Sequence, residues 1–178
     1  DSYVAPAWEA IIDTAIEAEK PLQQLLGRLK PDVIVLDNVV MFPAIANAGC
    51  PWVRMVSCAE TELPDAAVPP YLSGCLADDN EGRKRFAEHY RRAVAPAHER
   101  FSAFLANNGT PPCPPGQFLD DSPWLNLLLS PTPVRYARDK ALDQQRYVYL
   151  DGCVRREAPY IVPDFPRHND APLIYLSF

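Results

Sequence analysis

Residues 32–57 read DVIVLDNVVMFPAIANAGCPWVRMVS and decide the fold class of this 178-residue chain. Residues 33–36 are apolar without polar alternation, which is typical of a parallel strand covered by helices on both faces. Pro43 suits the first turn of a following helix, and Gly49 suits its end. The run WVRMVS at 52–57 predicts a second strand. The stretch therefore indicates a β-α-β unit, and we expect its first strand to lie centrally in the sheet.

The flanking regions extend this α/β pattern. Apolar residues recur at one-face helical spacing over 7–29 and over 80–107. Pro21 predicts a kink or a split in the first helix, and Pro96 predicts an interruption of the second. Together these elements predict an α/β fold with a Rossmann-like parallel sheet and flanking helices. Two further strands are predicted, at 125–129 and 147–150.

An irregular stretch precedes the long second helix. Residues 58–79 contain several prolines, which excludes a long regular element, and we expect this stretch to line a site. The basic residues at the start of the helix, Arg83 among them, alternate with acidic ones. This pattern is typical of a solvated helix face.

The C-terminal part of the sequence changes character. Residues 154–172 are charged, rich in proline and non-periodic, as in an interdomain linker, and 173–178 (LIYLSF) predict a new strand. We therefore predict one domain over 1–153, a linker over 154–172 and the first strand of a second domain over 173–178. Because that strand has no partner after it, we expect the chain to be a truncated part of a larger protein.

Composition excludes several function classes. The formal charge of -6 and the pI near 5.0 argue against a general nucleic-acid binder. No apolar run approaches the roughly 20 residues that span a bilayer, and the N-terminus lacks a signal-peptide pattern. The five cysteines are widely spread without a C-x-x-C pair, which predicts a reducing, cytoplasmic location. A small-molecule substrate is expected.

Asp37 is the first candidate for chemistry. It falls at the carboxyl end of the first strand, where open α/β sheets bind their ligands. A carboxylate there can accept the N–H of a histidine and stabilise the imidazolium that forms during proton transfer. The residue pattern alone leaves a second interpretation open, in which Asp37 caps a helix or is a solvated loop residue.

The other reactive residue types form no recognisable constellation. His89 and His98 are not spaced as a metal pair, and His168 lies in the predicted linker. Ser57 lacks a G-x-S-x-G setting, and Cys58 has no nearby histidine motif. No glycine-rich phosphate loop occurs. The sequence therefore predicts no metal site and no nucleophile.

Three segments carry a family resemblance: DNVVMFPA at 37–44, ANAGCP at 46–51 and APLIYLSF at 171–178. They resemble the N-terminal domain, and the start of the second domain, of nucleotide-sugar-dependent glycosyltransferases with the GT-B fold. That family includes plant flavonoid, vertebrate glucuronosyl and bacterial macrolide enzymes, and the bacterial macrolide and rhamnosyl branch looks most similar. The resemblance covers essentially the whole chain in order.

The resemblance implies an inverting transfer of a sugar from a nucleoside diphosphate to a hydroxyl of a small natural-product-like acceptor, as in antibiotic biosynthesis. Asp37 matches the aspartate of the family's catalytic pair, whose histidine is expected upstream of this chain. Ser57 matches a position near the donor sugar or its phosphate. No metal or cofactor is implied. Acceptor-pocket positions are matched by Asn38, Met41, Phe42, Glu60 and Thr61.

Two other function classes stay open. One is a non-catalytic α/β module that binds a small molecule, and the other is a sugar-nucleotide epimerase on the same two-domain scaffold. In the transferase interpretation this chain holds half of the catalytic pair and lacks the donor-binding motif. We therefore expect the isolated chain to be inactive.

Overall fold

A computed structural model describes residues 3–76, 78–151, 158 and 161. Short 3-10 turns lie at Glu60–Glu62 and Thr132–Val134. The helices and strands, in chain order, are α1 Val4–Leu29, β1 Ile34–Leu36, α2 Pro43–Ala46, β2 Trp52–Val56, α3 Asn80–Asn107, β3 Leu125–Leu128 and β4 Tyr147–Tyr149.

The strands form one four-stranded sheet in the order β1-β2-β3-β4, and every neighbouring pair is parallel. Ile34 pairs with Trp52 at the start of the first ladder, which confirms the β-α-β unit. Pro43 opens α2, and Gly49 follows it with a left-handed φ of 77°. The sequence-based α/β, Rossmann-like parallel sheet is confirmed, as are the strands predicted near residues 125 and 147.

The two long helices pack on each other and on one face of the sheet. Their buried residues join the helix-facing side chains of β1 and β2 in one core, with a smaller core beneath β3 and β4. Burying this apolar surface is the main favourable contribution to folding. The best buried members include Ile12 on α1, Leu36 on β1, Trp52 on β2, and Val94, Phe101 and Leu105 on α3.

The predicted interruption of the second long helix at Pro96 is wrong, and so is a split of the first at Pro21. Pro21 lies inside α1 and Pro96 inside α3, and each helix runs without a break. A kink at Pro21 stays a prediction. A proline removes one N–H and crowds one preceding carbonyl, but the turns on either side keep their bonds. Because tertiary packing supplies most of a helix's stability, buried residues such as Ala15 and Val94 hold each helix together despite its proline.

The second face of the sheet is apolar and largely uncovered in the described part of the chain. In the ladder register, Val35 aligns with Val53 and Leu125, and Met55 aligns with Leu127. Val148 continues the second row. All of these side chains are exposed or half-buried, with Val35 at 56% and Val148 at 39%. We call these six residues (Val35, Val53, Met55, Leu125, Leu127 and Val148) the open face.

The expectation that β1 is central and covered on both faces is therefore wrong for the described residues. β1 stands at one end of the strand order, and Val33 is 51% exposed. The apolar run has side chains suited to two buried faces, but α1 and α3 meet only the side that carries Leu36. The apolar run is therefore suited to burial on both faces, but α1 and α3 bury it on one face only.

The predicted linker over 154–172 and strand over 173–178 lie outside the described residues, apart from isolated positions 158 and 161. Within the described part, Cys50, Cys58, Cys75 and Cys113 are free thiols. None of the helices described combines the length and apolar character needed to cross a bilayer.

Truncating a side chain on the buried face of β1 should lower the free energy of unfolding more than truncating one on the open face. Leu36→Ala should lower the free energy of unfolding by about 3 kcal/mol, because it removes a buried side chain from the core. Val35→Ala should cost about 0.5 kcal/mol, since that side chain is mostly in water. Urea unfolding of both variants measures the difference. Equal losses would mean that the open face is covered in solution.

Candidate functional site

Asp37 and Ser57 meet at the carboxyl edge of the sheet. β1 ends at Leu36 and β2 at Val56, so the next residue of each parallel strand emerges on the same edge. The Ser57 hydroxyl donates a hydrogen bond to Asp37 Oδ1 at 2.6 Å. Both side chains are exposed. The pair is therefore oriented by the protein and remains reachable by a ligand.

The residues after Asp37 shape the turn. Asn38 Oδ1 accepts the backbone N–H of Val40 at 3.2 Å, which is the contact of an Asx turn, and also that of Val39 at 2.7 Å. Met41 is buried, and its N–H donates to the carbonyl of Phe118 at 2.8 Å. Phe42 is half-buried against the main core. Of the acceptor positions named from the sequence, these three thus have structural partners within the chain.

Glu60 is a buried carboxylate with a full set of partners. It is 3% exposed, and Oε1 accepts the Tyr149 hydroxyl at 2.6 Å and Arg138 Nη1 at 3.3 Å. Oε2 accepts the Tyr136 N–H at 3.3 Å. Burial, with the bond to Glu60, raises the pKa of Tyr149 to about 12. Through these hydrogen bonds and the ion pair, Glu60 joins the turn after β2 to the segment around β4.

A cavity of about 290 Å³ lies among α1, α3 and the irregular stretch after β2; Val39 and Thr61, which follow Asp37 and Ser57 in sequence, line it, whereas Asp37 and Ser57 themselves do not. Its size reaches the lower range of small-molecule sites. Part of the stretch 58–79 lines this cavity, between Thr61 and Tyr71, and Thr61 is one of the predicted acceptor residues. Its apolar walls include Trp8, Val68, Tyr71, Tyr90 and Phe118.

Cys58 and Tyr71 connect the pair to the cavity. Cys58 Sγ lies 4.0 Å from Ser57 Oγ, and Cys58 is also an electrostatic neighbour of Tyr71, which lines the cavity. Burial raises the pKa of Tyr71, and the neighbouring Cys58 raises it further. Cys58 thus neighbours both Ser57 and one residue of the cavity wall.

Two charged residues fix the wall formed by residues 64–71. Arg83 is buried and donates to the carbonyls of Ala66 and of Val68, the latter at 3.0 Å, so the prediction that Arg83 faces solvent is wrong. Asp65 accepts backbone N–H bonds from Ala67 at 2.8 Å and Asp139 at 2.9 Å. The charge pattern of α3 could not reveal Arg83, because its partners are carbonyls of an irregular segment.

Arg54 is the site residue that sequence reasoning overlooked. It lies on β2 with 4% of its side chain exposed, and it donates to Asp121 at 2.7 Å and to Glu62 at 3.2 Å. Arg54 also lines the cavity, and its Nε has no hydrogen-bond partner in the structure. The available signal was a cation within the apolar run WVRMVS, where only a paired or functional charge is tolerated.

Among the described residues, no group of three or more histidine, cysteine, aspartate or glutamate side chains is arranged to hold a metal ion. The chemistry available at this edge of the sheet comes from a carboxylate, a hydroxyl, a thiol and the cavity beside them. These groups suit hydrogen bonding, orientation of a ligand and proton transfer.

Comparison with known proteins adds no assignment to this geometry. No protein-family model matches the chain, and no curated protein matches it. The class that the structure defines is an α/β protein with a Rossmann-like parallel sheet and a ligand-sized cavity at its carboxyl edge. Function is therefore argued from the site residues themselves.

The contribution of Asp65 to folding stability should depend on pH. Backbone N–H bonds from Asp139, Lys140 and Ala67 lower the pKa of this carboxyl from 3.8 to about 2. A lowered carboxyl pKa stabilises the fold above the unfolded value and loses that contribution as pH falls through the folded value. Asp65→Asn should therefore lower the melting temperature at pH 7, and the difference from wild type should vanish near pH 2.

The exposed Asp32→Asn is the matched control for the Asp65 variant, and its melting temperature should follow wild type at every pH. Melting curves between pH 2 and pH 7 make the comparison. An Asp65→Asn deficit that stayed constant down to pH 2 would contradict the assigned role of the carboxylate.

Glu60 predicts a large stability effect. Glu60→Ala leaves the buried Arg138 without its closest carboxylate and should lower the free energy of unfolding by about 3 kcal/mol. Glu88→Ala, on the exposed side of α3, should stay within about 0.5 kcal/mol of wild type. Chemical denaturation measures both. A Glu60→Ala variant as stable as the control would mean that folding does not depend on this carboxylate, and Glu60 would then be available to bind a ligand.

Proposed function

We propose that this chain is the acceptor-side part of an inverting, nucleotide-sugar-dependent glycosyltransferase. The observation that carries the proposal is the exposed, hydrogen-bonded Asp37–Ser57 pair at the edge where open α/β sheets bind ligands, and a preformed cavity is lined by Val39 and Thr61 from the segments that follow the two residues. The cavity suits a small acceptor, and the carboxylate suits orientation of a catalytic base. The segments that resemble GT-B glycosyltransferases favour the same assignment.

In the proposed reaction a histidine removes the proton from an acceptor hydroxyl held in the cavity. Asp37 accepts the other N–H of that histidine and balances the imidazolium charge. The acceptor oxygen then attacks the anomeric carbon, and the nucleoside diphosphate leaves with the bonding electron pair, which inverts the configuration. Ser57 holds Asp37 through the 2.6 Å hydrogen bond and lies on the donor side.

The proposal assigns the histidine and the donor-binding domain to parts of the protein beyond this chain. The donor domain would stabilise the leaving diphosphate with backbone amides and a helix N-terminus, so the reaction needs no metal ion or cofactor. The partners are a nucleotide sugar and a natural-product-like acceptor. We place the reaction in the cytoplasm, in a biosynthetic role.

A non-catalytic small-molecule-binding domain is the second candidate. Two observations favour it: the wall of the cavity is already fixed by Arg83 and Asp65, and the hydrogen-bond partner of Asp37 in the structure is a serine. In that case Asp37 and Ser57 close the edge of the sheet without taking part in a reaction. The two candidates differ in whether turnover depends on Asp37.

In the intact protein, Asp37→Asn should lower kcat about a thousandfold, because the amide can neither orient the histidine in the required tautomer nor balance its charge. The change is nearly isosteric and the side chain is exposed, so the melting temperature should be almost unchanged. Product formation with a panel of nucleotide sugars and hydroxylated aromatic acceptors is the measurement.

Asp32→Asn provides the control for the kinetic experiment, since Asp32 is an exposed aspartate just before β1. Its turnover should equal that of wild type. Turnover that survives in Asp37→Asn would remove Asp37 from the mechanism. Acceptor binding without transfer from any donor would overturn the transferase proposal and favour the binding domain.

A further inference from the structure

Four charged residues line the cavity, namely Arg54, Glu62, Asp65 and Arg91. Three of them are withdrawn from solvent, since the side chains of Arg54, Glu62 and Asp65 are 4%, 7% and 4% exposed. Arg91, by contrast, is exposed. A molecule that enters the cavity from water can therefore reach the charge of Arg91 more readily than the other three.

The two carboxylates of the cavity wall are occupied by donors of the chain itself. Glu62 Oε2 accepts Arg54 Nη2 at 3.2 Å, and its Oε1 accepts the backbone N–H of Ala59 at 3.2 Å. Asp65 accepts three backbone N–H groups with its two oxygens, among them that of Lys140 at 3.0 Å. Because each carboxylate oxygen already has a donor, this wall offers no ready site for a cation.

Arg91 has no ionic partner in the part of the chain that the structure describes, but its stem is held on two sides. Nε donates to the Ala87 carbonyl, one turn earlier in α3, at 3.1 Å. The stem also packs closely on Gly116, where a Cβ atom would lie 3.2 Å from Arg91 Cγ. Gly116 has a φ of 79°, so glycine suits both its backbone and this close approach. The terminal nitrogens Nη1 and Nη2 are thus positioned by the stem and can bind a planar anion with two parallel hydrogen bonds.

We propose that the cavity binds a small molecule that carries a carboxylate, and that Arg91 recognises this group through Nη1–H and Nη2–H. The apolar walls, with Trp8 and Tyr90 among their residues, hold the rest of the molecule. This inference rests on the proposed function in taking the bound molecule to be the sugar acceptor, and it narrows the acceptor class to hydroxylated carboxylic acids. Arg91 is then a specificity-determining residue.

A matched pair of probes tests the proposal on the 178-residue chain itself. 4-Hydroxyphenylacetate and its primary amide have the same shape and the same phenolic hydroxyl, but only the acid is charged at neutral pH. Shifts of the Trp8 indole N–H signal in NMR titrations give both dissociation constants, because Trp8 lines the cavity. The acid should bind about fivefold more tightly, as expected for a charge-assisted contact with an exposed arginine.

Arg91→Gln removes the charge but keeps much of the length of the side chain. It should abolish the preference for the acid while leaving binding of the amide within about twofold of wild type. Arg92→Gln is the matched control, because Arg92 is the next exposed residue of α3 and its Nε donates to the carbonyl of Glu88 in the same way, yet it does not line the cavity. The control loses the same overall charge and should retain the preference for the acid.

A second variant locates the probes without removing the charge of Arg91. Ala87 lines the cavity from α3, so Ala87→Leu should fill part of the space and weaken binding of both probes about tenfold or more. Ala103→Leu, at an exposed position of the same helix, should leave both constants unchanged. This comparison decides whether the probes are bound in the cavity.

Three results would overturn the inference: equal affinity for the acid and the amide in wild type, a preference that responds alike to Arg91→Gln and Arg92→Gln, or binding that is indifferent to Ala87→Leu. None of these measurements needs a sugar donor. An intact protein that transfers sugar to neither probe while the chain prefers the acid would therefore remove the proposed transferase and leave the binding site. Transfer to both probes at rates that ignore Arg91→Gln would do the reverse.

Discussion

The ion pairs of Arg54 join the parts of the molecule on which the candidate site depends. Arg54 belongs to β2, Glu62 to the turn that follows it, and Asp121 to the segment that leads into β3. Tyr147 on β4 extends the group by donating to Asp121 at 2.5 Å. A single buried cation thus ties the turn after β2 to the segment before β3 and, through Asp121, to β4, at the wall of the cavity.

Buried ion pairs add little net stability, because desolvation of the charges offsets most of their attraction. Their effect here is geometric. Glu60 with Arg138, and Asp65 with backbone N–H groups, hold the chain after β2 against the segment between β3 and β4 in the same way. Irregular segments that would otherwise sample many conformations are held as cavity walls, so a ligand need not order them on binding.

The sequence predicted those features that depend on local periodicity and turn chemistry. The four strands, the helix that begins at Pro43 and the position of Asp37 at a strand end all follow from short patterns. The contact between Asp37 and Ser57 was not predicted, although the parallel pairing of β1 and β2 explains why both residues emerge at one edge. The partners of Glu60, Arg83 and Arg54 do not, because they join residues distant in sequence through irregular segments.

The apolar open face and the outer edge of β1, which pairs with no strand among the described residues, also bear on how the isolated chain behaves at high concentration. An exposed strand edge next to hydrophobic side chains is a template for intermolecular β-pairing, and β1 carries no lysine, proline or bulge that would block it. The tendency of the chain to aggregate and its folding stability therefore depend on different parts of the molecule. Additives that mask apolar surface should improve solubility without altering the ion-pair network around Arg54.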